Sequence, residues 1–371
     1  MWFEGSPGAA GYPSDPHGAA KYYDRCFRDL AQHGLNAVAV PNCPSELWET
    51  LLRSAERHKI RVVLEIGPLV GLVSREEAVD EKTIEQVAAP IVKRLSGYRS
   101  LLRYQIRDEP PPHMVPNWVA VQRVLAALDP RHPAFSCCCW AGSVPSLRQA
   151  TTLSEAVFDI YPFVETVPTG ETGKFYPALR SFCEAAGDLP KWAVLQAFAK
   201  PGVWRYPTPE ELRCTVYSAL AAGAKGIFFF IYQTMPNHPE KLEGLIDPDG
   251  RPRPIYREVE RLARELHKLA PTLLRLTPIG PTRWPGETGL PVIFGDFQDD
   301  KGRTYLVLAN GKPAASVKVP LRAVLGENCR SVTDLLSGEK LLLRGAPAEL
   351  ELPPGGGFAA GVGDTSEKLG H

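Results

Sequence analysis

The chain has 371 residues, 44% of them hydrophobic, with 42 basic and 42 acidic side chains and a formal net charge of zero. That length exceeds one minimal domain and suits a barrel of about 250 residues with a smaller partner. The balanced charge shows no basic stripe, which argues against a nucleic-acid partner. No apolar run reaches the roughly 20 residues of a membrane span.

In chain order, Trp2-Phe3-Glu4 reads as the end of a first strand, and no charged segment followed by an apolar one marks a signal peptide. The expected location is cytoplasmic, or secreted or periplasmic if a leader has been removed. A Gly- and Pro-rich loop leads to a helix from His17 to His33, with Gly34 as its stop. Leu35 to Val40 is an almost wholly apolar strand, as expected when both faces are covered. Pro44 to His58 reads as a helix, Arg61 to Ile66 as a strand and Glu76 to Leu95 as a long helix.

Leu101 to Ile106 alternates like a buried strand and runs into Arg107-Asp108-Glu109 and three prolines that end any ladder. The rhythm continues with a helix from Pro116 to Leu128, a strand from Ala134 to Trp140 and a helix from Val144 to Leu153. A strand from Ala156 to Phe163, a helix from Phe175 to Ala186 and a strand from Lys191 to Phe198 follow. Thr208-Pro209-Glu210-Glu211 has the signature of a helix start. Its helix leads to a strand from Lys225 to Tyr232 and an amphipathic helix from Ile255 to Leu274.

Eight strand–helix units with apolar strands predict an α/β fold, a (β/α)₈ TIM barrel over residues 1–275. A doubly wound sheet is disfavoured because no Gly-rich dinucleotide turn follows an early strand. Beyond Leu276, short strand candidates separated by turns predict an antiparallel β-sandwich over 276–364, and 365–371 reads as a tail. The eight cysteines, three of them at Cys137, Cys138 and Cys139, form no CxxC or Cys/His zinc spacing. They read as small buried side chains in a reducing compartment, with no metal and no organic cofactor implied.

In such a barrel the carboxyl ends of the strands gather at one mouth. That places Glu4, Glu65, Asp108, Glu109, Trp140, Asp159, Tyr161, Gln196, Phe198 and Tyr232 together. Carboxylates and amides can hold hydroxyls there while rings stack on sugar C–H faces, and a phosphate site would want basic residues and Gly-rich turns instead. Adjacent carboxyls can keep one proton near neutral pH, as a general acid requires. Each residue also has a structural alternative. Neighbouring strand residues point to opposite faces, so Asp108 can face a helix instead. Glu4 and Glu65 can pair with arginines, Asp159 can cap a loop, and Trp140, Tyr161 and Phe198 can fill core. A buried Gln196 must satisfy its amide. His113, a lone loop histidine, is left out of the site.

Several stretches carry a resemblance: Arg107-Asp108-Glu109-Pro110, Asp159-Ile160-Tyr161-Pro162, Trp192 to Phe198, Gly223 to Gly226 and Asp247 to Pro252. Together they make the chain resemble the retaining glycoside hydrolases of clan A and their uncharacterised bacterial relatives, across the barrel and the appended β-domain. In that clan the fourth strand ends in Asn-Glu-Pro and the Glu is the general acid/base, so the resemblance gives that role to Glu109. Asp108 replaces the Asn that holds the sugar 2-hydroxyl.

The clan nucleophile, a Glu ending the seventh strand, matches Gln196, whose neutral amide cannot attack an anomeric carbon. Three outcomes follow. Glu109 can act as acid with Asp159 or Glu65 activating water for inversion of a β-linked sugar, which needs carboxyls about 6.5–9.5 Å apart. Asp108-Glu109 is also similar to the Asp-Glu pair of the family 20 hexosaminidases, where the substrate acetamido group is the nucleophile; Gln196 and Tyr232 would then hold it. Or the chain binds carbohydrate without cleaving it. The implied partner is a carbohydrate, and oligomeric state is left open.

Overall fold

The computed structural model describes residues 1–5, 9, 11–13, 15–138, 153–326, 329–343 and 348–364. The expected strand end at Cys139 and Trp140, most of the expected helix from Val144, and the tail at 365–371 lie outside the described residues. Contacts gather the chain into two compact units. The first comprises Met1–Tyr161, Ser181–Tyr206 and Gly226–Glu260, and the second Pro162–Arg180, Pro207–Lys225 and Arg261–His371.

The first unit alternates strands with helices. Helix α1 (Pro16–Gln32) begins at Asp15, whose carboxylate accepts the Gly18 N–H at 2.8 Å. It buries Tyr23, Phe27 and Leu30. Strands β1 (Ala37–Val40), β2 (Arg61–Glu65), β3 (Leu101–Gln105) and β4 (Ala134–Phe135) form one parallel sheet in that order. A second parallel sheet takes β5 (Cys137–Cys138), β6 (Ala156–Ile160), β7 (Lys191–Gln196) and β8 (Ala224–Phe230) in order. Ahead of β1, the Phe3 N–H donates to Ala39 O at 2.8 Å and the Trp2 N–H to Phe229 O at 2.9 Å, so the first residues hydrogen-bond to both β1 and β8.

Cross-strand partners share a face, so the register identifies the inner one. Ala39 pairs with Val63, Gln105 with both Glu65 and Phe135, Cys137 with Val157, and Asp159 with Val194. Ala39, Val63, Phe135, Cys137, Val157, Val194, Phe228 and Trp2 form one buried cluster. Each large apolar side chain there contributes about 1.5–3 kcal/mol.

Three elements differ from expectation. The helix expected from Pro44 opens as a 3-10 turn, Ser45–Leu47, before α2 (Trp48–Arg57). The long helix expected from Glu76 starts later, as α4 (Glu81–Leu95), because the Asp80 carboxylate caps Thr83 N at 2.9 Å. A short α3 (Gly67–Val73) precedes it, with Pro68 in its first turn, where no N–H is needed. The strand expected from Ala134 breaks at Ser136, whose hydroxyl donates to Arg107 O at 2.7 Å. Helices α5 (Val115–Leu128), ahead of that strand, and α6 (Phe175–Ala186), after β6, lie close to expectation.

In the second unit, α7 (Pro209–Ala221) carries the expected capping box: Glu211 N–H donates to Thr208 Oγ1 at 3.2 Å and Thr208 N–H to Glu211 Oε2 at 2.8 Å. Helix α8 (Ile255–Leu273) follows β8. The C-terminal part is an antiparallel sheet joined by a two-stranded ladder. Its strands are β9 (Thr277–Pro278), β10 (Val292–Gln298), β11 (Thr304–Asn310), β12 (Val317–Pro320), β13 (Cys329–Asp334), β14 (Lys340–Leu342), β15 (Glu349–Leu352) and β16 (Gly357–Asp364). The large sheet runs β14-β13-β16-β11-β10-β9, and β12 pairs β15. Strand β16, beyond the last strand candidate, lies inside this sheet between β13 and β11. Helix α7 packs on β10, β11 and β16. A Cβ at Gly357 would strike the Tyr217 ring, and one at Gly295 the Ala221 carbonyl. These glycines admit the helix.

Candidate active site

The site is built where β2, β3, β5, β6 and β7 end. Glu65 closes β2, and its Oε1 accepts the Asn42 N–H at 3.1 Å. Asn42, at φ +56, also donates through Nδ2 to Glu4 Oε2 at 3.4 Å, so one loop residue ties two of the expected acids together. Glu4 is buried, its N–H donating to Gln233 Oε1 and its carbonyl accepting from Gln233 Nε2, both at 3.0 Å. Beside Glu65 on the same inner face, Gln105 is 0% exposed, and neither its amide oxygen nor its nitrogen has a hydrogen-bond partner.

Past β3 the chain stays alongside β4 and then β5: Ile106 N–H donates to Phe135 O at 3.4 Å and Glu109 N–H to Cys137 O at 3.0 Å. This holds Asp108 and Glu109 at the strand ends. Glu109 is exposed and has φ +42, a conformation costly for a side chain with a Cβ. Asp108 has its Oδ1 fully enclosed and without a hydrogen-bond partner. Burial holds the Asp108 carboxyl well above its usual range, aided by the charges of Asp159, Glu109 and Glu65 and opposed by Arg107. It therefore faces the other acids.

Asp159, in β6, receives the Cys137 thiol at 3.4 Å and the Tyr161 hydroxyl. It also shares a hydrogen bond with the Glu109 carboxyl. Burial first, then the Glu109 charge, push Asp159 up to about 7. Burial likewise raises Glu65, against the Asn42 N–H and Arg107. The contact between Asp159 and Glu109 is shorter than the spacing of about 6.5–9.5 Å expected for an inverting pair.

An aromatic group lies beside the acids. The Tyr161 ring stands 5.0 Å from Phe198 at 85° and 5.4 Å from Phe230. Trp204, which sequence reasoning missed, donates its indole N–H to Tyr161 O at 3.2 Å and keeps its ring half-buried, 5.5 Å from Phe198. Phe198 is fully buried behind them. Gln196 is also buried, and its Nε2 donates to Arg205 O at 2.9 Å and Phe198 O at 3.4 Å. Its amide thus holds the segment that carries Trp204. Tyr232, expected among the sugar-binding residues, instead donates its hydroxyl to Asp29 Oδ2 at 2.7 Å and stacks on Phe3. The strand geometry ends at Phe230, so alternation no longer fixes its direction. Trp140 lies outside the described residues.

A glycoside hydrolase family 42 model, described as β-galactosidase, matches residues 150–269, less than half of the chain. That stretch holds Asp159, Tyr161 and Gln196 and leaves Asp108 and Glu109 outside it. A glycoside hydrolase family 5 protein from Bacteroides vulgatus superposes with TM-score 0.64 at 13% identity, over 100% of this chain and 91% of that one. The likeness is one of fold, an alternating α/β unit followed by an antiparallel sheet. A β-glucuronidase from an uncultured Clostridium species gives TM-score 0.52 at 15% identity, over 71% of this chain and 50% of that one. A β-galactosidase from the psychrophilic Marinomonas ef1 gives 0.53 at 13%, over 74% and 62%. The chain thus spans between half and two thirds of those two enzymes. No curated protein sequence matches it. Clan A, the resemblance drawn from Asp108-Glu109-Pro110 and the strand ends, is consistent with the fold and the family match.

Proposed function

We propose that the chain is a glycoside hydrolase acting on a β-linked sugar, with residues 1–275 closing as an eight-stranded barrel and 276–364 as an accessory β-domain. The bonds of Trp2 and Phe3 to both β8 and β1 support closure. The observation that carries the activity is the hydrogen-bonded contact of Glu109 with Asp159 at the strand ends. Glu109, the exposed member, is placed to protonate a glycosidic oxygen, and Asp159, pushed up to about 7 by burial and the Glu109 charge, is poised to ionise near neutral pH. Asp159 is the favoured base. A sugar entering between the carboxyls would part them and leave Asp159 to take a proton from the attacking water.

The closed contact favours a second reading, substrate assistance, in which Glu109 is again the acid and Asp108 orients an acetamido nucleophile. In neither reading does Gln196 attack. Both are tested with aryl glycosides and natural oligosaccharides, wild type beside Glu109→Gln, with NMR of the first-formed anomer. Inversion that is lost in the variant supports the first reading, and retention confined to N-acetyl sugars supports the second. Absence of turnover on every sugar, with binding intact, overturns hydrolysis and leaves a carbohydrate-binding role.

A further inference from the structure

Cleaving a glycoside takes two carboxyls, and this site gathers more. Asp108 lies in the field of Asp159, Glu109 and Glu65, and Asn42 links Glu65 to Glu4. Arg107 is the cation that acts on Asp108 and Glu65. Beneath the acids, on the face shared with Glu65, Gln105 is fully buried with its amide unpartnered, and Asp108 Oδ1 is enclosed and unpartnered as well. Carboxylate and amide oxygens placed this way want a donor with several N–H groups and a positive charge. A compact metal ion does not fit, because among the described residues no three His, Cys, Asp or Glu side chains could hold one. The half-buried Tyr161 ring, whose hydroxyl bonds Asp159, suits a ligand that is part apolar ring and part cation.

We propose that the site selects an amino sugar, a residue bearing a free protonated amine, with the ammonium held by Asp108 and Glu65 above the Gln105 amide oxygen. This rests on the glycoside hydrolase reading and names its substrate class. The amine replaces like-charge repulsion among Glu65, Asp108, Glu109 and Asp159 with attraction. Binding therefore releases protons from these acids. Arg107, Cys137 and Tyr161 also face the group, and none of them supplies an acceptor charge below neutral pH.

The test is titration calorimetry of the full chain with glucosamine against glucose, galactosamine against galactose, and the two N-acetyl sugars, at pH 5.5 and 7.5. The expected result is at least tenfold tighter binding of an amine than of its neutral partner at pH 7.5, a smaller preference at pH 5.5, and proton release seen in buffers of differing ionisation enthalpy. Asp108→Asn and Glu65→Gln, each checked for an unchanged melting temperature, should cut the preference at least fivefold. Equal binding of neutral sugars overturns the proposal, and tighter N-acetyl binding overturns it in favour of acetamido participation. Aryl-glycoside turnover is measured separately. Amine preference without turnover sinks the hydrolase reading alone, whereas turnover without preference sinks this inference alone.

Discussion

The Asp159 carboxyl, held by the Cys137 thiol and the Tyr161 hydroxyl, also hydrogen-bonds with the Glu109 carboxyl at the ends of β6 and β3. Asp159 binds its proton up to about pH 7 in the folded chain, against 3.8 for the ordinary group. Between those values the folded state holds a proton that the unfolded state has lost. The stabilisation from this group is therefore full below about pH 4 and disappears as pH rises through 7. Asp159→Asn, a neutral mimic of the acid form, removes that dependence. Its stability relative to wild type should improve by about 2–4 kcal/mol from pH 4 to pH 8. Urea unfolding at both pH values measures this, and a constant difference would show that the Asp159 carboxyl is not raised. With Asp159 as the base, wild-type kcat/KM should rise as pH passes about 7, where Asp159 gives up its proton.

Glu109 carries a second cost in its backbone. At φ +42 a Cβ crowds the following carbonyl, at about 1 kcal/mol, and asparagine tolerates this conformation better than glutamate. Glu109→Asn should therefore be more stable than Glu109→Gln by about 0.5–1 kcal/mol, since both remove the charge and only one relaxes the backbone. Each should lower turnover by about a thousandfold or more if the acid is Glu109. Denaturant midpoints of the two variants, compared with each other, isolate the strain. Equal midpoints would show that none is stored there.

Much of this was readable because strand ends leave a mark. Alternation in Leu101 to Ile106, broken by Arg107-Asp108-Glu109 and prolines, locates the acids without any structure, and Asp159 and Gln196 follow from the same beat. What was not readable depended on contacts distant in sequence. Trp204 sits in a turn with no periodicity, and its role comes from the Tyr161 carbonyl and Gln196 amide that hold it and its neighbours. Gln105 looked like an ordinary polar strand position until its register with Glu65 turned it inward. Strand β16 carries Gly357 where the Tyr217 ring of α7, more than a hundred residues earlier, leaves no room for a Cβ. Tyr232 was assigned to the mouth as the carboxyl end of the eighth strand, yet Asp29 draws it away.

Gln196 invites the substitution that would restore a clan nucleophile. The structure predicts failure. Its Nε2 donates to two backbone carbonyls, Arg205 O and Phe198 O, from a fully buried position. Gln196→Glu would set a carboxylate against those oxygens with no donor to give, at a cost of about 2–4 kcal/mol. It should lower stability most above neutral pH, and it should yield no retained product. Guanidinium unfolding across pH together with anomer-resolved NMR checks both. A stable variant with retaining turnover would show that the Gln196 side chain already faces the sugar.

Trp204 separates binding from chemistry. Its ring is half-buried beside Tyr161, with Lys200 Nζ 5.7 Å from its centroid, whereas Phe198 is wholly enclosed, so Trp204 and Tyr161 are among the described rings exposed enough to meet a sugar face. Stacking of this kind acts on ground state and transition state alike, which changes KM more than kcat. Trp204→Ala should raise KM about tenfold and leave kcat within about threefold, the loss of roughly 1–1.5 kcal/mol of aromatic contact. Trp204→Phe keeps a ring but drops the N–H bond to the Tyr161 carbonyl, so its KM should rise less than about threefold. Steady-state kinetics on one aryl glycoside distinguishes the cases. If Trp204→Ala instead lowers kcat with KM unchanged, the ring positions the Tyr161 and Asp159 side chains rather than the sugar, and the aromatic wall belongs to the acid's support.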